Sequence, residues 1–305
     1  KIEVRVSSNK SSADPDTIKH YMNDDYSNEL NYRNYLLSLT ISAFPDIYFL
    51  KLALILNYII FKYSTDDEPA FNILIVGEPK SGKSCLLKEV KRLFDFKYII
   101  TGSSLSEISN LTIDVVRENQ NDVVEAGYLS IANRNVVLVD EFQDISKKNM
   151  EIFVNSIRDR KLYNKKTNVS SNLDVSLIVT ATPKLSSKKI FNDINIYEQI
   201  GLVSEHGSLF NLVFRLKDYP NRENDILNNF IQSLDIENSN SNQNFLHSLL
   251  NDLDKREVGL DDNCMSLIER YIKKVNSSKN KKFQNNITET IVSLCKAHAR
   301  LFFRS

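Results

Sequence analysis

The amino-acid sequence predicts an α/β fold, a five-stranded parallel sheet followed by an all-helical C-terminal unit, on three observations. Short apolar runs rich in β-branched residues recur through the middle of the chain, at 72–76, 98–101, 136–139, 175–180 and 210–216. Segments of helical periodicity, such as 84–94 and 146–160, lie between them. After Pro220 only helical texture is left. The near-continuous hydrophobicity of the runs is that of strands buried on both faces, as in a parallel sheet covered by helices.

Residues 1–32 are rich in Ser, Asn and Asp with little periodicity and read as a linker or extended arm. From 35 to 63 the pattern is helical, broken at Pro45, which suits the start of an apolar helix at 46–61. The turn Asp66-Asp67-Glu68-Pro69 then feeds the first strand. Past Pro220 come an amphipathic helix at 222–233, an Asn/Ser-rich loop at 236–245 and helical stretches at 246–254, 262–275 and 287–303. The loop at 276–286, with Lys279, Lys281 and Lys282, reads as solvated. The chain thus divides into an arm at 1–32, a core at 33–219 and a helical unit at 220–305.

Composition bounds the partners. Lys+Arg and Asp+Glu both total 39 in 305 residues, so no net field draws the whole molecule to nucleic acid or membrane, and any DNA contact comes from local basic patches. The cysteines (Cys85, Cys264, Cys295) and histidines (His20, His206, His247, His298) are scattered, which indicates neither a disulfide framework nor a zinc site and fits a reducing compartment. The longest apolar run, 47–61, carries Lys51 and Asn57 and falls short of the roughly 20 residues that cross a bilayer, so no membrane partner is expected. A first residue of Lys rather than Met reads as an excised fragment.

The chemistry begins at Gly77-Glu78-Pro79-Lys80-Ser81-Gly82-Lys83-Ser84, between an apolar strand and a helix that opens with Cys85. Glycines at 77 and 82 let the backbone curl so that successive N–H groups face one centre. Lys83 adds a point charge for the outer phosphates, and the Ser84 hydroxyl can ligate Mg²⁺. Residues 77–85 are therefore the nucleotide-binding candidates. Val136-Val137-Leu138-Val139-Asp140-Glu141 is the second half of the site: an apolar strand ending in two carboxylates. Asp140 is placed to hold Mg²⁺, and Glu141 to polarise the attacking water. The fourth strand ends Thr180-Ala181-Thr182-Pro183, where the hydroxyl of Thr182, or else of Thr180, can orient that water; β-propensity alone also accounts for a Thr here. A basic hairpin, Lys161-Leu162-Tyr163-Asn164-Lys165-Lys166-Thr167, precedes that strand. Lys161, Lys165 and Lys166 are the candidates for charge-driven contact with DNA phosphates, a solvated turn being the alternative.

Together these pieces resemble the ATPase module of the minichromosome maintenance (MCM) family of hexameric DNA helicases, a branch of the AAA+ ATPases. Besides the two nucleotide motifs, the matching stretches are Ile41-Ser42-Ala43-Phe44-Pro45-Asp46-Ile47-Tyr48, Glu125-Ala126-Gly127-Tyr128-Leu129, Ser208-Leu209-Phe210-Asn211-Leu212-Val213-Phe214 and Ala297-His298-Ala299-Arg300-Leu301. The resemblance implies a five-stranded AAA+ core, a helical lid at 220–305, ATP with Mg²⁺ held between neighbouring subunits of a ring around DNA, and a place in the nucleus. It also implies two loops in the ring's channel: the insert within 103–124 and the hairpin near 161–173, whose family lysine falls on Asn164 or, one residue on, Lys165.

The departures from the family pattern matter as much. The family's Ser-Arg-Phe-Asp, whose Arg reaches the neighbour's ATP, reads Ser208-Leu209-Phe210-Asn211 here. The Arg expected before the fourth strand falls on Asp174, the lid Arg on Asn286, and the Asn that ends the fourth strand is Thr182. The phosphate loop ends Gly-Lys-Ser, whereas the core replicative subunits usually have Ala or Ser before the Lys. The cis half of the site is thus intact and the trans half stripped of cations. Two readings follow: a motor subunit that draws arginines from an unlike partner, or a degenerate paralogue that binds ATP structurally as a scaffold. ATP over GTP rests on the resemblance, together with the absence of an Asn-Lys-x-Asp motif at the tip of a late strand.

Overall fold

The structure, a computed structural model, describes residues 32–34, 36–37, 40–41, 44, 47–63, 70–106, 113–118, 121–164, 169–183, 196–216, 244, 246, 248–250, 253, 258–277 and 287–302. The arm expected before residue 32, the turn at 66–69, the helix at 222–233, most of the loop at 236–245, and residues 278–286 lie outside them, as do Lys165, Lys166 and Asn286.

After helical residues at 32–34 and 36–37 comes helix α1 (Tyr48–Tyr63), and the main elements that follow are β1 (Ile73–Gly77), α2 (Lys83–Phe94), β2 (Tyr98–Thr101), a hairpin of β3 (Ile113–Glu118) and β4 (Asn121–Ala126), β5 (Asn135–Asp140) and α3 (Lys147–Asp159). A second hairpin of β6 (Lys161–Asn164) and β7 (Val169–Asn172) leads into β8 (Val175–Ala181), β9 (Leu212–Leu216), α4 (Asp262–Ser277) and α5 (Ile287–Leu301). The main sheet has the order β2-β5-β8-β1-β9, and every pairing in it is parallel. All five expected strands are there, with ends moved by a residue or two.

Alternation along the strands sorts side chains between two cores. Ile73, Ile75, Val136, Leu138 and Ile178 face α1, α2 and the C-terminal helices. Leu74, Val76, Val137, Val139, Leu177 and Val179 face α3. Every residue of β1 and β8 is buried. Two polar residues of α1, Lys51 and Asn57, are internal as well. Asn57 Nδ2 donates to the Phe71 carbonyl at 2.6 Å and Lys51 Nζ to the Leu37 carbonyl at 3.4 Å. A buried amide or ammonium needs such a partner, which is why both interrupt an apolar helix without breaking it.

Local chemistry fixes the helix ends. Ser146 caps α3, its Oγ accepting from the Asn149 N–H at 3.4 Å, and left-handed Arg160 closes it. Asp95 closes α2 in the same way. The run expected as a strand from 210 begins two residues later, because the Phe210 N–H turns back to the Gly207 carbonyl and the Asn211 N–H bonds the Asn72 carbonyl. The segment expected only as an insert at 103–124 forms most of the β3–β4 hairpin, which runs on to Ala126 and is paired Ile113 to Ala126 through Glu118 to Asn121.

α5 lies along α1, and Leu246, Leu249, Leu250, Ala297, Leu301 and Phe302 join the core cluster of α1. The Tyr63 hydroxyl donates to the carbonyls of Leu250 and Leu253 at 3.0 and 3.1 Å. Asn72 and Asn211 tie the sheet to α5. Asn211 Oδ1 accepts from the Asn72 N–H at 2.7 Å, and Asn211 Nδ2 donates to Thr290 Oγ1 at 2.9 Å. No helix among the described residues is long and apolar enough to cross a membrane.

Candidate nucleotide site

β5, β8 and β1 are neighbours, so their parallel carboxyl ends converge on one edge of the sheet, where open α/β sheets bind ligands. β1 delivers Gly77 and a tight loop. A Cβ at Gly77 would lie 2.6 Å from Ser81 Oγ and 3.1 Å from the Leu216 carbonyl, so any larger residue would press the loop against the edge strand. Lys80 and Gly82 take left-handed φ of 66° and 85°. Those turns bring the chain into α2 at Lys83.

Lys83 is buried, and its Nζ donates to the carbonyls of Gly77 and Glu78 at 2.9 and 2.7 Å. Burial lowers the pKa of its ammonium, and the carboxylates of Asp140 and Glu141 pull it back up. The ammonium therefore sits within the electrostatic reach of both acidic residues. Ser81 Oγ is buried with no hydrogen-bond partner among the described residues, an orphan acceptor and donor inside the loop. Pro79, Lys80, Gly82, Lys83, Ser84 and Cys85 line one side of a cleft of about 570 Å³, and Glu141, Gln143 and Thr182 line the other. Its size falls within the usual range for small-molecule sites.

The acidic side is built from three strand ends. Thr180 Oγ1 donates to Asp140 Oδ1 at 2.5 Å, and the Glu141 N–H donates to Asp140 Oδ1 at 3.1 Å and Thr180 Oγ1 at 3.3 Å. Glu141 is exposed with φ 54°, a left-handed turn that lifts its carboxylate off the strand. Phe142 anchors the turn below: fully buried, edge-on to Phe153 and Phe210. From β2, the Gly102 N–H donates to the Asp140 carbonyl at 2.7 Å. A Cβ on Gly102 would come within 2.1 Å of the Glu141 carbonyl oxygen. Backbone cannot yield there as a flexible side chain can, so Gly102→Ala is expected to cost about 1–3 kcal/mol. A lowered urea midpoint at unchanged slope checks this.

The structure therefore brings Lys80, Gly82, Lys83, Ser84, Cys85, Glu141 and Thr182 around one cleft, with Asp140 beside Glu141. Gly77, Glu78 and Ser81 form the base of the loop. Thr180, the alternative to Thr182, is buried and spends its hydroxyl on Asp140. Lys161 is exposed at the start of β6. Gln143 was not among the sequence candidates. It lines the cleft and its Oε1 accepts from the Thr182 N–H at 2.8 Å, tying the acidic turn to the end of β8. Gly102 and Asn72 were likewise missed, since nothing local to their sequence marks them.

The departures from the family pattern have structural partners. Leu209 is buried at 6% exposure, and its carbonyl accepts from Asn72 Nδ2 at 2.9 Å. Asp174 accepts from Arg160 Nη2 at 2.7 Å.

Comparison with known proteins agrees with this geometry. A family model described as the MCM P-loop domain matches residues 34–233, more than half of the chain. The Minichromosome maintenance protein MCM of Saccharolobus solfataricus is 26% identical over 177 residues, 57% of this chain and 25% of that protein. An uncharacterized MCM-type protein of Methanocaldococcus jannaschii is 25% identical over 219 residues, 68% of this chain and 28% of that one. The DNA replication licensing factor Mcm6 of Drosophila melanogaster is 26% identical over 199 residues, 62% of this chain and 24% of its own length. The matches thus span about a quarter of the length of these curated relatives. With its phosphate loop, acidic strand end and five-stranded sheet all inside the matched region, the chain belongs to the MCM P-loop domain family, as a divergent member.

Proposed function

We propose that this chain is an MCM-type ATP hydrolase, a helicase-type motor subunit that binds Mg-ATP in cis and acts on DNA in replication or recombination in the nucleus. The observation that carries the reading is the cleft in which Lys83 and Ser84, from the β1–α2 loop, meet Glu141 from a different strand. In this reading the N–H groups of residues 77–85 and the Lys83 ammonium hold the phosphates. Ser84 and Asp140 hold Mg²⁺. When bound, Mg-ATP supplies the transferable phosphoryl group and its neutralising charge. Glu141 orients and deprotonates water, aided by the end of β8 that Thr182 and Gln143 define. Asp140 is kept aimed by Thr180. Lys161, Lys165 and Lys166 contact DNA phosphates, the core at 33–219 carries the chemistry, and the helices of 220–305 cover it as a lid. With Leu209, Asp174 and Asn286 in place of cations, the arginines that complete this chain's site come from an unlike MCM-type neighbour in a ring.

The second reading, a non-hydrolysing scaffold that holds ATP as a structural ligand, is favoured by one observation: Leu209 is part of the core. Both readings require nucleotide. Titration calorimetry is expected to find magnesium-dependent ATP uptake by the folded chain, weakened at least about tenfold by Lys83→Ala, with GTP as competitor to rank the bases. Uptake unchanged by Lys83→Ala would end both.

A further inference from the structure

We infer that Gln143 is a positioning residue of the proposed hydrolysis: its side-chain amide, held at both ends, fixes the gap between the Glu141 carboxylate and the tip of β8 across which the attacking water is aimed. The inference rests on the ATPase reading and adds to it a residue whose type, a neutral amide, is dictated by its neighbours. Two ties join the acidic turn to β8. The first, from Thr180 Oγ1 to Asp140 Oδ1, stands before Glu141, and the second, from the Thr182 N–H to Gln143 Oε1 at 2.8 Å, stands after it. Glu141 thus leaves the chain between two fixed points, at a left-handed turn.

The second tie is needed because the ladder has run out. β8 pairs with β5 as far as Val179 opposite Val139, and with β1 as far as Ala181 opposite Val76. Thr182 lies beyond both, and Pro183 after it brings no N–H to hold the tip. Gln143 takes the place of a strand there. It stands in a single tight turn, closed by the Asp144 N–H on the Glu141 carbonyl at 2.9 Å and the Ile145 N–H on the Phe142 carbonyl at 3.2 Å, with Phe142 buried beneath. Two residues away in so short a turn, Glu141 follows any shift at 143. The other end of the amide donates from Nε2 to Asp144 Oδ1 at 3.3 Å. Its orientation is therefore set twice over: rotated by half a turn, it would put its NH2 against the Thr182 N–H and its oxygen against a carboxylate. A glutamate at 143 would accept from Thr182 but face Asp144 as a like charge. Only a neutral side chain with both an acceptor and a donor serves both neighbours.

The test reads the tie and the chemistry separately in the full chain. Amide hydrogen exchange at Thr182 is expected to be at least about tenfold faster in Gln143→Ala than in wild type, with the Glu141 amide, bonded elsewhere, changed far less. Mg-ATP affinity by calorimetry should stay within about twofold, because the phosphate loop is untouched, while kcat with native partners present falls about ten- to a hundredfold, the cost of a misplaced group. Gln143→Glu should release Thr182 in the same way. Joined to Asp144→Asn, it should restore both protection and rate, since the new amide at 144 then donates to the new carboxylate at 143. Should Gln143→Ala lose its fold, Gln143→Glu against this double variant makes the same comparison. Thr182 exchange equal to wild type in Gln143→Ala, an unchanged rate, a loss of rate that saturating Mg-ATP repairs, or a double variant that fails to regain the rate overturns the inference alone when wild type binds and hydrolyses Mg-ATP. Wild type that binds Mg-ATP and releases no phosphate ends the hydrolase reading, and the inference with it.

Discussion

Glu141→Gln is expected to leave Mg-ATP binding intact and to lower turnover by about two to four decades, the contribution of a general base. The substitution is close to isosteric at an exposed side chain, and the left-handed turn at 141 is held by its main-chain N–H donating to the side chains of Asp140 and Thr180, bonds that the amide does not touch. What is lost is the ability to accept a proton from water. In the presence of its native partners, the variant separates the two functional readings. A motor stalls with ATP trapped and strand separation is abolished, whereas a scaffold assembles and functions as before. Turnover equal to wild type, measured by phosphate release, would remove Glu141 from the chemistry altogether.

Leu209→Arg is expected to destabilise the chain by about 3 kcal/mol or more and to bring no gain in turnover. Read in sequence, position 209 invites repair, because the family places an arginine there. Read in space, Leu209 packs with Phe210 and Leu202 in the core cluster under α3. Arginine there forfeits the burial of a leucine, worth about 2–5 kcal/mol in core truncations, and brings an unpaired charge toward an apolar site. Urea unfolding of the purified variant reads this directly. A variant as stable as wild type, with faster hydrolysis, would show that the loop can turn its side chain outward. Asn72 makes that harder, since its amide bonds the Leu209 carbonyl while its own Oδ1 accepts from the Leu177 N–H at 2.9 Å.

What could be read in the sequence was whatever is contiguous in it. The phosphate loop and the Asp140-Glu141 strand end carry their chemistry within a few residues, and the inner strands β1, β5 and β8 announce themselves by hydrophobicity because both their faces are covered. Gln143 and Gly102 were illegible because their roles exist only across strands: one meets the end of β8, the other the turn after β5. The β3–β4 hairpin was missed for a related reason. Its Val-Val pairs are interleaved with Asp114, Arg117, Asp122 and Glu125, and so short a mixed pattern reads as loop until the two halves are seen to pair. Lys51 and Asn57 misled less, since a long apolar stretch outweighs two polar residues whose partners lie elsewhere in the chain.

In the proposed hydrolase, the junction of Gly102 with the turn after β5 bears on how Glu141 can be moved from this side of the sheet. A hydrogen bond from the Gly102 N–H to the Asp140 carbonyl joins the two segments, and the main chain at 141 fills the space that a side chain at 102 would need. A control of the proposed hydrolysis acting at this junction would work by swinging the Glu141 carboxylate, not by shifting a strand.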